Sequence, residues 1–429
     1  MPKMSAGRNG SKLLLVAGIL LRVLVFIFLS PINNDDHGAV VRFLAERGYL
    51  PTLWETLQAQ HPPLYYLLAA PIWKWTADYK GVQVLSLVCS IATLVALYHL
   101  IYNTPLIANA RARLYGFLIV CFLPQFVMFT LYLSNDTLAI LLGNLAILEA
   151  WRYIRDRRAR DAVVLGLLAA AGMLTKLTFL AYLPVFAGVV WIVEGRTRRA
   201  MLAAVAFFAL TFAAGSYKLV DNYIRYRDPM ITGLDARFNY PNLQNHAVTY
   251  RGLASYTDIN VFKLVKEPVL SPATSGAYPV ILYATFWYQY IPESNFIGDR
   301  SRPSMYLGSA LYMLGLLPSV VFLVGWIASL RPGKLEGAEL MNWIGALLIL
   351  LTGLMFLPAV MKYHVWSIVQ ARYLFPVMFS GVAVFAKGME IVEHGVSARR
   401  VLAVCMWLLA ALFLFYFGSE CWYWLQKSR

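Results

Sequence analysis

The chain has 429 residues, of which 60% are hydrophobic and only 14% are charged. A soluble domain has about 45–50% apolar and about 25% charged residues. The excess of apolar residues forms long runs of the kind that span membranes, which excludes a soluble enzyme, a disordered chain and a disulfide scaffold. A membrane β-barrel is disfavoured too, because its strands alternate. The net charge of +15 comes from short basic clusters between apolar runs, which follows the positive-inside rule and argues against nucleic-acid binding.

The first apolar run, residues 13–29, follows Lys3, Arg8 and Lys12 and has the charge pattern of a signal sequence. It is followed by Ser-Pro-Ile-Asn at 30–33 and lacks a small-x-small cleavage motif. We therefore predict an uncleaved first transmembrane helix with a cytoplasmic N-terminus.

The first external loop, residues 31–80, contains two further helical patterns. Residues 39–47 are typical of a short amphipathic helix. Residues 64–75 are dense in Tyr, Trp and Leu and are bracketed by prolines, which predicts a helix lying in the membrane interface.

The next segments are predicted to form helical hairpins between cytoplasmic basic clusters. Residues 162–193 are apolar except near Lys176, and as one helix they would be about 48 Å long, against a hydrocarbon core of roughly 30 Å. Two short helices with Lys176 at an external apex fit better, because both flanks are basic. The same reasoning places an apex at 134–136 and another near His364.

The remaining external segment, residues 221–304, is rich in Tyr, Asn and Pro and predicts a partly irregular cap. A last helix covers residues 401–417. The sequence thus predicts an all-α polytopic membrane protein that forms one integral membrane domain over residues 1–429. We expect about eleven transmembrane helices, with the N-terminus inside and the C-terminus outside.

Ionisable residues gather at the predicted external helix ends. Asp35 and Asp36 follow the first helix, where they would supply a general base or bind a divalent cation. The alternative is N-cap chemistry for the following helix. Asp136 is equally compatible with a helix cap and with a metal or substrate ligand. His61, fixed by two prolines, would face either the cavity or the headgroups.

Two cations at or near the predicted external helix ends are candidates for binding an anion. Lys176 is the lone charge near the middle of its apolar hairpin, and an ionisable residue there is a functional candidate. Its natural partner is an anion such as a lipid phosphate, and the alternative is a snorkelling lysine at the turn. Arg372, about one turn below the surface, needs a carboxylate or a phosphate.

These motifs together resemble the GT-C superfamily of integral-membrane glycosyltransferases. The similarity is greatest to the branch with protein O-mannosyltransferases, lipid A aminoarabinose transferases and their bacterial relatives. Five motifs occur in the same order: the acidic pair Asp35-Asp36, P-P-L-Y-Y at 62–66, N-D-x-L at 135–138, L-T-K at 174–176 and R-Y-L-x-P at 372–376. This chain departs from the branch in having Asp-Asp where Asp-Glu is common, and Gln60-His61 where aminoarabinose transferases have Glu-Lys.

The resemblance implies inverting transfer of a sugar from a polyprenyl-phosphate carrier, by a hexosyl- or pentosyltransferase. Asp35 would be the base, assisted by Asp36, while Lys176, Arg372 and His61 would hold the donor phosphate. Asp136 would bind substrate or, with Asp36, a divalent cation such as Mg²⁺ or Mn²⁺.

The resemblance also implies the partners and the place of action. The acceptor would be a glycolipid, a polysaccharide or a protein, and no nucleic acid is expected. The protein would lie in a bacterial inner membrane, with its site facing the periplasm or exterior. The alternative is a transporter or flippase of lipid-linked sugars, which the absence of a visible internal repeat disfavours.

Overall fold

The computed structural model describes residues 3–33, 35–233, 235–238, 252–266, 268, 277–288, 305–331, 333, 336–363, 369–393 and 395–427. Over these residues the chain is helical, and the β contact is one isolated parallel bridge between Ile32 and Tyr132. The predicted all-α fold is confirmed. The predicted apex at His364 and much of the 221–304 loop lie outside the described residues.

The helices of the first half are α1 (Lys3–Phe28), α2 (His37–Arg47), α3 (Leu64–Thr76), α4 (Tyr79–Tyr102), α5 (Ala110–Phe122), α6 (Pro124–Met128), α7 (Asn135–Asp156), α8 (Ala159–Met173), α9 (Leu183–Val193), α10 (Arg198–Gly215) and α11 (Tyr217–Tyr226). Those of the second half are α12 (Ala254–Thr257), α13 (Phe262–Lys266), α14 (Tyr278–Trp287), α15 (Met305–Ser329), α16 (Gly337–Met355), α17 (Leu357–Tyr363), α18 (Met378–Val392) and α19 (Val396–Lys427). Short 3₁₀ helices cover Leu57–Gln60, Leu177–Ala181, Ala236–Phe238 and Ala371–Val377.

Eight segments within the described residues are long and apolar enough to cross a membrane: Asn9–Phe28, Tyr79–Tyr102, Asn135–Asp156, Arg198–Gly215, Leu307–Ser329, Gly337–Met355, Ala371–Val392 and Val396–Gln426. Leu177–Val193 is apolar but shorter. The protein is therefore a multi-pass membrane protein. The predicted number of eleven spans is not confirmed by these segments and stays a prediction.

The predicted chain reversals coincide with helix ends. The helix α8 ends at Met173 and α9 begins at Leu183, so the 162–193 segment breaks at Lys176 as predicted. The helix α7 begins at Asn135 because the Ser134 side chain accepts a hydrogen bond from the backbone N–H of Asp136, which caps the helix. Both helices that the sequence predicts within residues 31–80 are present, as α2 and α3.

A buried arginine holds the first helix against the bundle. The Arg22 side chain is fully buried and donates to Ser90 Oγ at 2.9 Å. It also donates to the backbone oxygens of Gly18, Cys121 and Val120 at 3.0–3.1 Å. These acceptors satisfy most of its N–H groups, which explains how a guanidinium is tolerated inside a membrane helix.

Backbone contacts tie the loops at one end of the bundle together. Ile32, just after α1, pairs with the segment before α7: its N–H donates to Leu131 O, and its oxygen accepts from Leu133 N, both at 2.9 Å. Leu64 N at the start of α3 donates to Leu174 O at 2.8 Å. These bonds join the end of α1 to the segment before α7, and the start of α3 to the end of α8.

Candidate active site

Four charged side chains from four separate segments form one contiguous network. Lys176 Nζ donates to Asp136 Oδ1. Arg372 Nη1 lies 2.5 Å from Asp35 Oδ2 and 3.5 Å from Asp136 Oδ2. The chain order is Asp35 after α1, Asp136 in the first turn of α7, Lys176 after α8 and Arg372 in the 3₁₀ helix before α18. The structure therefore brings together residues up to 337 positions apart in sequence.

The four side chains of the network differ in their exposure. The Asp136 and Lys176 side chains are 2% and 7% exposed, whereas Arg372 is 12% and Asp35 is 23% exposed. Asp35 is thus the more accessible carboxylate, and Asp136 is the interior one. Two cations face two carboxylates, so the network carries no net charge. Burial without such pairing would be costly for each group.

Polar contacts from neighbouring segments fix the orientation of the interior pair. Ser134 Oγ donates to Asp136 Oδ2 at 3.2 Å. Asn135 Nδ2 donates to Thr175 O at 2.9 Å, which joins the start of α7 to the residue before Lys176. The N-cap is therefore Ser134, and Asp136 is free of that structural role.

An aromatic face lies against both cations. The Tyr373 ring centroid is 4.5 Å from Lys176 Nζ and 5.3 Å from the Arg372 guanidinium carbon. Cations at this distance are attracted to the ring face. Tyr373 also packs on Phe356, with ring centroids 4.3 Å apart, so the Tyr373 ring is held against the residue that follows α16.

Asn144 and Gly143 on α7 position the segment that carries Arg372. Asn144 Nδ2 donates to Phe375 O at 3.0 Å, and Asn144 Oδ1 accepts from Phe379 N at 3.1 Å. Gly143 lies directly against the backbone oxygen of Pro376, where a β-carbon would collide. The 3₁₀ helix is therefore held at close approach to α7.

Two histidines lie beside the network. His37 is 3% exposed, its Nδ1 is 2.7 Å from Tyr66 Oη, and its ring centroid is 5.2 Å from that of His61. Burial lowers the pKa of His37 to about 4, against the smaller upward influence of Asp35 and Asp136, while Lys176 and Arg372 lower it further. Burial, with His37 and Lys176, also holds the pKa of His61 well below its usual range. Both imidazoles are therefore neutral at pH 7.

Asp36 lies apart from the four-residue network. It is exposed and precedes α2 in the left-handed region, with φ of 56°. Its Oδ1 is 3.5 Å from Asn33 Nδ2, while Asn33 Oδ1 accepts from Gly38 N at 2.7 Å. Partial burial raises the pKa of Asp36, opposed by Asn33 and Arg42. The capping contact of the first turn of α2 is thus made by Asn33.

The described residues contain no group of three or more His, Cys, Asp or Glu that would hold a metal. Asp136 already faces Lys176 and Arg372, so a divalent cation would have to displace them. The arrangement fits a metal poorly, and the predicted use of Asp36 and Asp136 as ligands stays a prediction.

Sequence reasoning missed two features of this region. The His37–Tyr66 contact was not predicted, although Tyr66 belongs to the P-P-L-Y-Y motif. A charged cluster on α11, formed by Lys218, Asp221 and Arg225, was also missed. Its signal was the i, i+3, i+7 spacing, which puts the three residues on one face of a helix.

Residues 60–216 match the sequence model of a family described as Dolichyl-phosphate-mannose-protein mannosyltransferase. The match includes His61, Asp136 and Lys176, while Asp35 and Arg372 lie outside it. Over these residues the match supports the resemblance to protein O-mannosyltransferases. A comparison with curated protein sequences finds no match.

Several solved structures are similar to the chain. ArnT from Cupriavidus metallidurans, bound to undecaprenyl phosphate, aligns at 14% identity and a TM-score of 0.39, over 90% of this chain and 78% of that one. Arabinosyltransferase EmbB from Mycobacterium smegmatis aligns at 14% identity and 0.42, over 91% and 42%. Archaeal oligosaccharyltransferase AglB from Archaeoglobus fulgidus, in complex with an inhibitory peptide and a dolichol-phosphate, aligns at 11% identity and 0.46, over 96% and 56%. Similarity at this level establishes neither substrate nor partner.

Proposed function

We propose that this protein is an inverting glycosyltransferase that moves a hexosyl or pentosyl group from a polyprenyl-phosphate donor to a hydroxyl acceptor. In this proposal the reaction takes place on the external face of a bacterial inner membrane. The observation that carries it is the Asp35–Arg372–Asp136–Lys176 network, because it sets an accessible carboxylate beside fixed cations at one end of a membrane bundle.

Asp35 is the proposed base. It is the more exposed of the two network carboxylates, and its Oδ2 lies 2.5 Å from Arg372 Nη1. Asp35 accepts the proton of the acceptor hydroxyl as that oxygen attacks the anomeric carbon. The bond from this carbon to the donor phosphate oxygen breaks, and its electron pair leaves with the phosphate. A single displacement inverts the configuration.

Lys176 and Arg372 are the proposed contacts to the departing phosphate, with His61 close by. Negative charge grows on the phosphate during the displacement, and cations held in a site of low dielectric stabilise that charge. Their ion pairs with Asp136 and Asp35, together with the Tyr373 ring, hold both cations in place before the donor arrives. Asp136 therefore acts through Lys176 and Arg372 by orienting them.

The description of the matching family supports a lipid-phosphate donor, because it names a dolichyl-phosphate sugar. The acceptor, whether glycolipid, polysaccharide or protein, is identified by neither the network nor the family match. A divalent cation held by Asp36 and Asp136 stays a prediction, and the proposed reaction does not use one.

The test is sugar transfer by the purified protein in proteoliposomes, supplied with radiolabelled polyprenyl-phosphate sugars and a membrane extract as acceptor source. We expect Asp35→Asn to reduce transfer by at least about 10³-fold with normal folding, since the amide cannot accept the proton. Glu46→Gln is the matched control, because Glu46 is exposed on the following helix α2. Full transfer by Asp35→Asn would remove the base assignment, and donor translocation without transfer by the wild type would favour a flippase.

A further inference from the structure

The turn between α7 and α8 and the turn between α9 and α10 lie side by side at one end of the bundle. Tyr153 Oη, near the end of α7, donates to Glu194 Oε1, just after α9, at 2.6 Å. The helix α7 has 22 residues, so this end lies about 33 Å along the helix from the first turn, which holds Asp136 of the network. The two turns and the helix ends beside them form one surface, called here the arginine surface, with eight exposed arginines: Arg152, Arg155, Arg157, Arg158, Arg160, Arg196, Arg198 and Arg199.

The arginine surface carries an excess of positive charge. Three of its arginines pair with a neighbouring carboxylate: Arg152 with Glu149 at 3.0 Å, Arg155 with Asp156 at 2.6 Å and Arg160 with Asp161 at 3.2 Å. Within the part of the chain that the structure describes, the five others form no ion pair: Arg157, Arg158, Arg196, Arg198 and Arg199. With Glu194 included, eight arginines face four carboxylates, so the formal net charge of the surface is +4.

Two helix N-termini add to this positive potential. The helix α8 begins at Ala159, and α10 begins at Arg198. The N-terminal end of a helix carries a partial positive charge, so it attracts anions and disfavours cations. The first turn of α10 nevertheless contains Arg198 and Arg199 and no acidic residue. An anion bound at this end would offset the repulsion between these side chains and the helix terminus.

Apolar side chains continue outward from the arginines along two packed helices. Gly166 of α8 lies against the Phe207 ring of α10, so the two helices are neighbours. Within about two turns of the arginines, both helices expose apolar side chains: Val163 and Leu167 on α8, and Leu202 and Val205 on α10. A molecule that matches this surface has an anionic head and an apolar body, which describes a phospholipid better than a soluble polyanion.

We infer that the arginine surface binds the headgroups of anionic phospholipids, with their acyl chains along α8 and α10, in the leaflet opposite the active-site network. Arginine suits this role because its planar fork matches phosphate oxygens, and basic clusters beside membrane helices attract anionic headgroups. The inference goes beyond the proposed function and does not depend on it. A protein that transfers no sugar and binds such lipids through these arginines would keep the inference and remove the transferase.

The positive-inside rule does not by itself require such a site. That rule relates basic residues to the orientation of the chain in the membrane, and it needs no bound lipid in the folded protein. The lipid site rests instead on the folded arrangement, in which two turns joined by Tyr153 and Glu194 place unpaired arginines beside one apolar flank. The difference is measurable as selectivity among lipids.

Two of the unpaired arginines allow a variant that spares the fold. Arg157 and Arg196 have φ of 53° and 60°, in the left-handed region. Asparagine adopts this region more readily than other side chains that have a β-carbon. The double variant Arg157→Asn/Arg196→Asn therefore removes two charges without straining either turn, and its melting temperature in detergent should be no lower than that of the wild type.

The test is the binding of phosphatidylglycerol to the purified full-length protein in detergent, measured by native mass spectrometry, with zwitterionic phosphatidylcholine as the reference lipid. We expect the wild type to bind phosphatidylglycerol at least about tenfold more tightly than phosphatidylcholine. The double variant should raise the Kd for phosphatidylglycerol by about tenfold, because two cations that attract the headgroup are lost. Its Kd for phosphatidylcholine should not change.

Arg227→Asn is the matched control. Arg227 is exposed, has φ of 59° and follows α11, where its N–H donates to Tyr223 O as the N–H of Arg157 donates to Tyr153 O after α7. It lies outside the arginine surface, so its removal should leave the Kd for phosphatidylglycerol unchanged.

Three results would overturn the inference. The first is an equal Kd for phosphatidylglycerol in the wild type and in Arg157→Asn/Arg196→Asn. The second is an equal Kd of the wild type for phosphatidylglycerol and phosphatidylcholine. The third concerns glycerophosphoglycerol, which is the same headgroup without acyl chains and should bind far more weakly than the lipid. If it binds as tightly as phosphatidylglycerol, the surface recognises a soluble phosphate and not a lipid.

Discussion

The Lys176–Asp136 pair is the most buried charge interaction of the site, with side chains 7% and 2% exposed. Removing one partner of a buried ion pair is expensive because the other charge is left without compensation. Arg372, 3.5 Å from Asp136, supplies part of that compensation. The pair therefore ties the loop after α8 to the start of α7.

We expect Lys176→Met to lower the free energy of unfolding by about 3 kcal/mol, at the low end for a broken buried pair because Arg372 remains. The double variant Lys176→Met/Asp136→Asn should recover more than half of that loss, since it removes both charges. Denaturation in detergent measures both, with Asp136→Asn alone completing the cycle. Equal stability of the two Lys176 variants would show that the charges are not coupled.

Protonation of His37 makes the stability of the folded protein depend on pH, and the sign of this dependence follows from the pKa shift. Burial lowers its pKa to about 4, from 6.5 in the unfolded chain. As the pH falls, His37 therefore binds a proton in the unfolded chain before it does so in the folded protein. The contribution of His37 to the free energy of unfolding is constant above pH 6.5 and decreases between pH 6.5 and about 4. The slope for one such group approaches about 1.4 kcal/mol per pH unit.

We expect the melting temperature of the wild type to fall more between pH 6.5 and 5 than that of His37→Gln, because the amide does not titrate. His61→Gln is measured beside it, since burial lowers the pKa of His61 in the same direction. Parallel curves for the wild type and both variants would contradict the assignment.

At the residue scale the sequence identifies unusual charged side chains better than it predicts their contacts. Charges in apolar hairpins are costly, and this marked Lys176 and Arg372 correctly as unusual. In the structure Lys176 contacts Asp136, whereas the sequence interpretation named an anion such as a lipid phosphate as its natural partner. Arg372 contacts the carboxylate of Asp35, and a carboxylate was one of the two kinds of partner that the sequence indicated for it. The pairing depends on the depth and rotation of four segments, and no local pattern encodes those quantities. The catalytic roles of these residues stay predictions.

At the scale of secondary structure, the close approach of α7 to the 3₁₀ helix at Ala371–Val377 sets the position of Arg372. Gly143 permits this approach, and Asn144 fixes it with two hydrogen bonds to the backbone. One turn of α7 therefore leaves room for the 3₁₀ helix at Gly143 and holds it by hydrogen bonds from Asn144.

We expect Gly143→Ala to reduce both stability and transfer, because the new β-carbon collides with the Pro376 oxygen and displaces the Arg372 segment. An overpacked contact of this kind costs about 1–3 kcal/mol. Gly353→Ala is the control: it lies inside the helix α16 with open space at its β-carbon, and it should be neutral or slightly stabilising. Melting temperature and transfer rate measure both. A Gly143→Ala protein indistinguishable from Gly353→Ala would show that close approach is not required.

Helix boundaries were predictable where an apolar segment was too long for one span and had basic residues on both flanks. The break at Lys176 and the start of α7 at Asn135 followed from basic flanks and hairpin length. The helix α11 was not predicted, because its polar face was assigned to an irregular loop. Its contacts with the first loop join residues 173 apart in sequence, which local periodicity does not reveal.

For the whole molecule, the number of spans fixes the sides of the membrane on which the two termini lie. Eleven spans would place the two termini on opposite sides, whereas an even number would place them together. Three exposed residues report on the side of the membrane at three places: Glu46 on α2 for the first loop, Arg160 on α8 for the basic cluster between α7 and α8, and Gln426 on α19 for the end of the last helix. Among the natural cysteines, Cys89, Cys121 and Cys405 are buried and Cys421 is partly exposed. The Cys421→Ser variant therefore removes the natural cysteine that a maleimide would label most readily.

We expect a membrane-impermeant maleimide to label Glu46→Cys and Gln426→Cys in intact cells, and to label Arg160→Cys only after permeabilisation. This pattern follows from basic flanks on the cytoplasmic side and an odd number of spans. Labelling of Gln426→Cys that requires permeabilisation would contradict the predicted number of eleven, and reversed labelling of Glu46→Cys would contradict the external location of the site.

The most direct measurement of the central claim is mass spectrometry of envelope glycans and lipid-linked sugars in cells that lack the gene, complemented with either the wild type or Asp35→Asn. A polyprenyl-phosphate sugar should accumulate, and one glycan should lose a single sugar residue, in the deletion strain and in the Asp35→Asn strain alike. Wild-type complementation should restore both. Normal glycans in the Asp35→Asn strain, or a carrier pool that shifts across the membrane without loss of any glycan, would contradict the account.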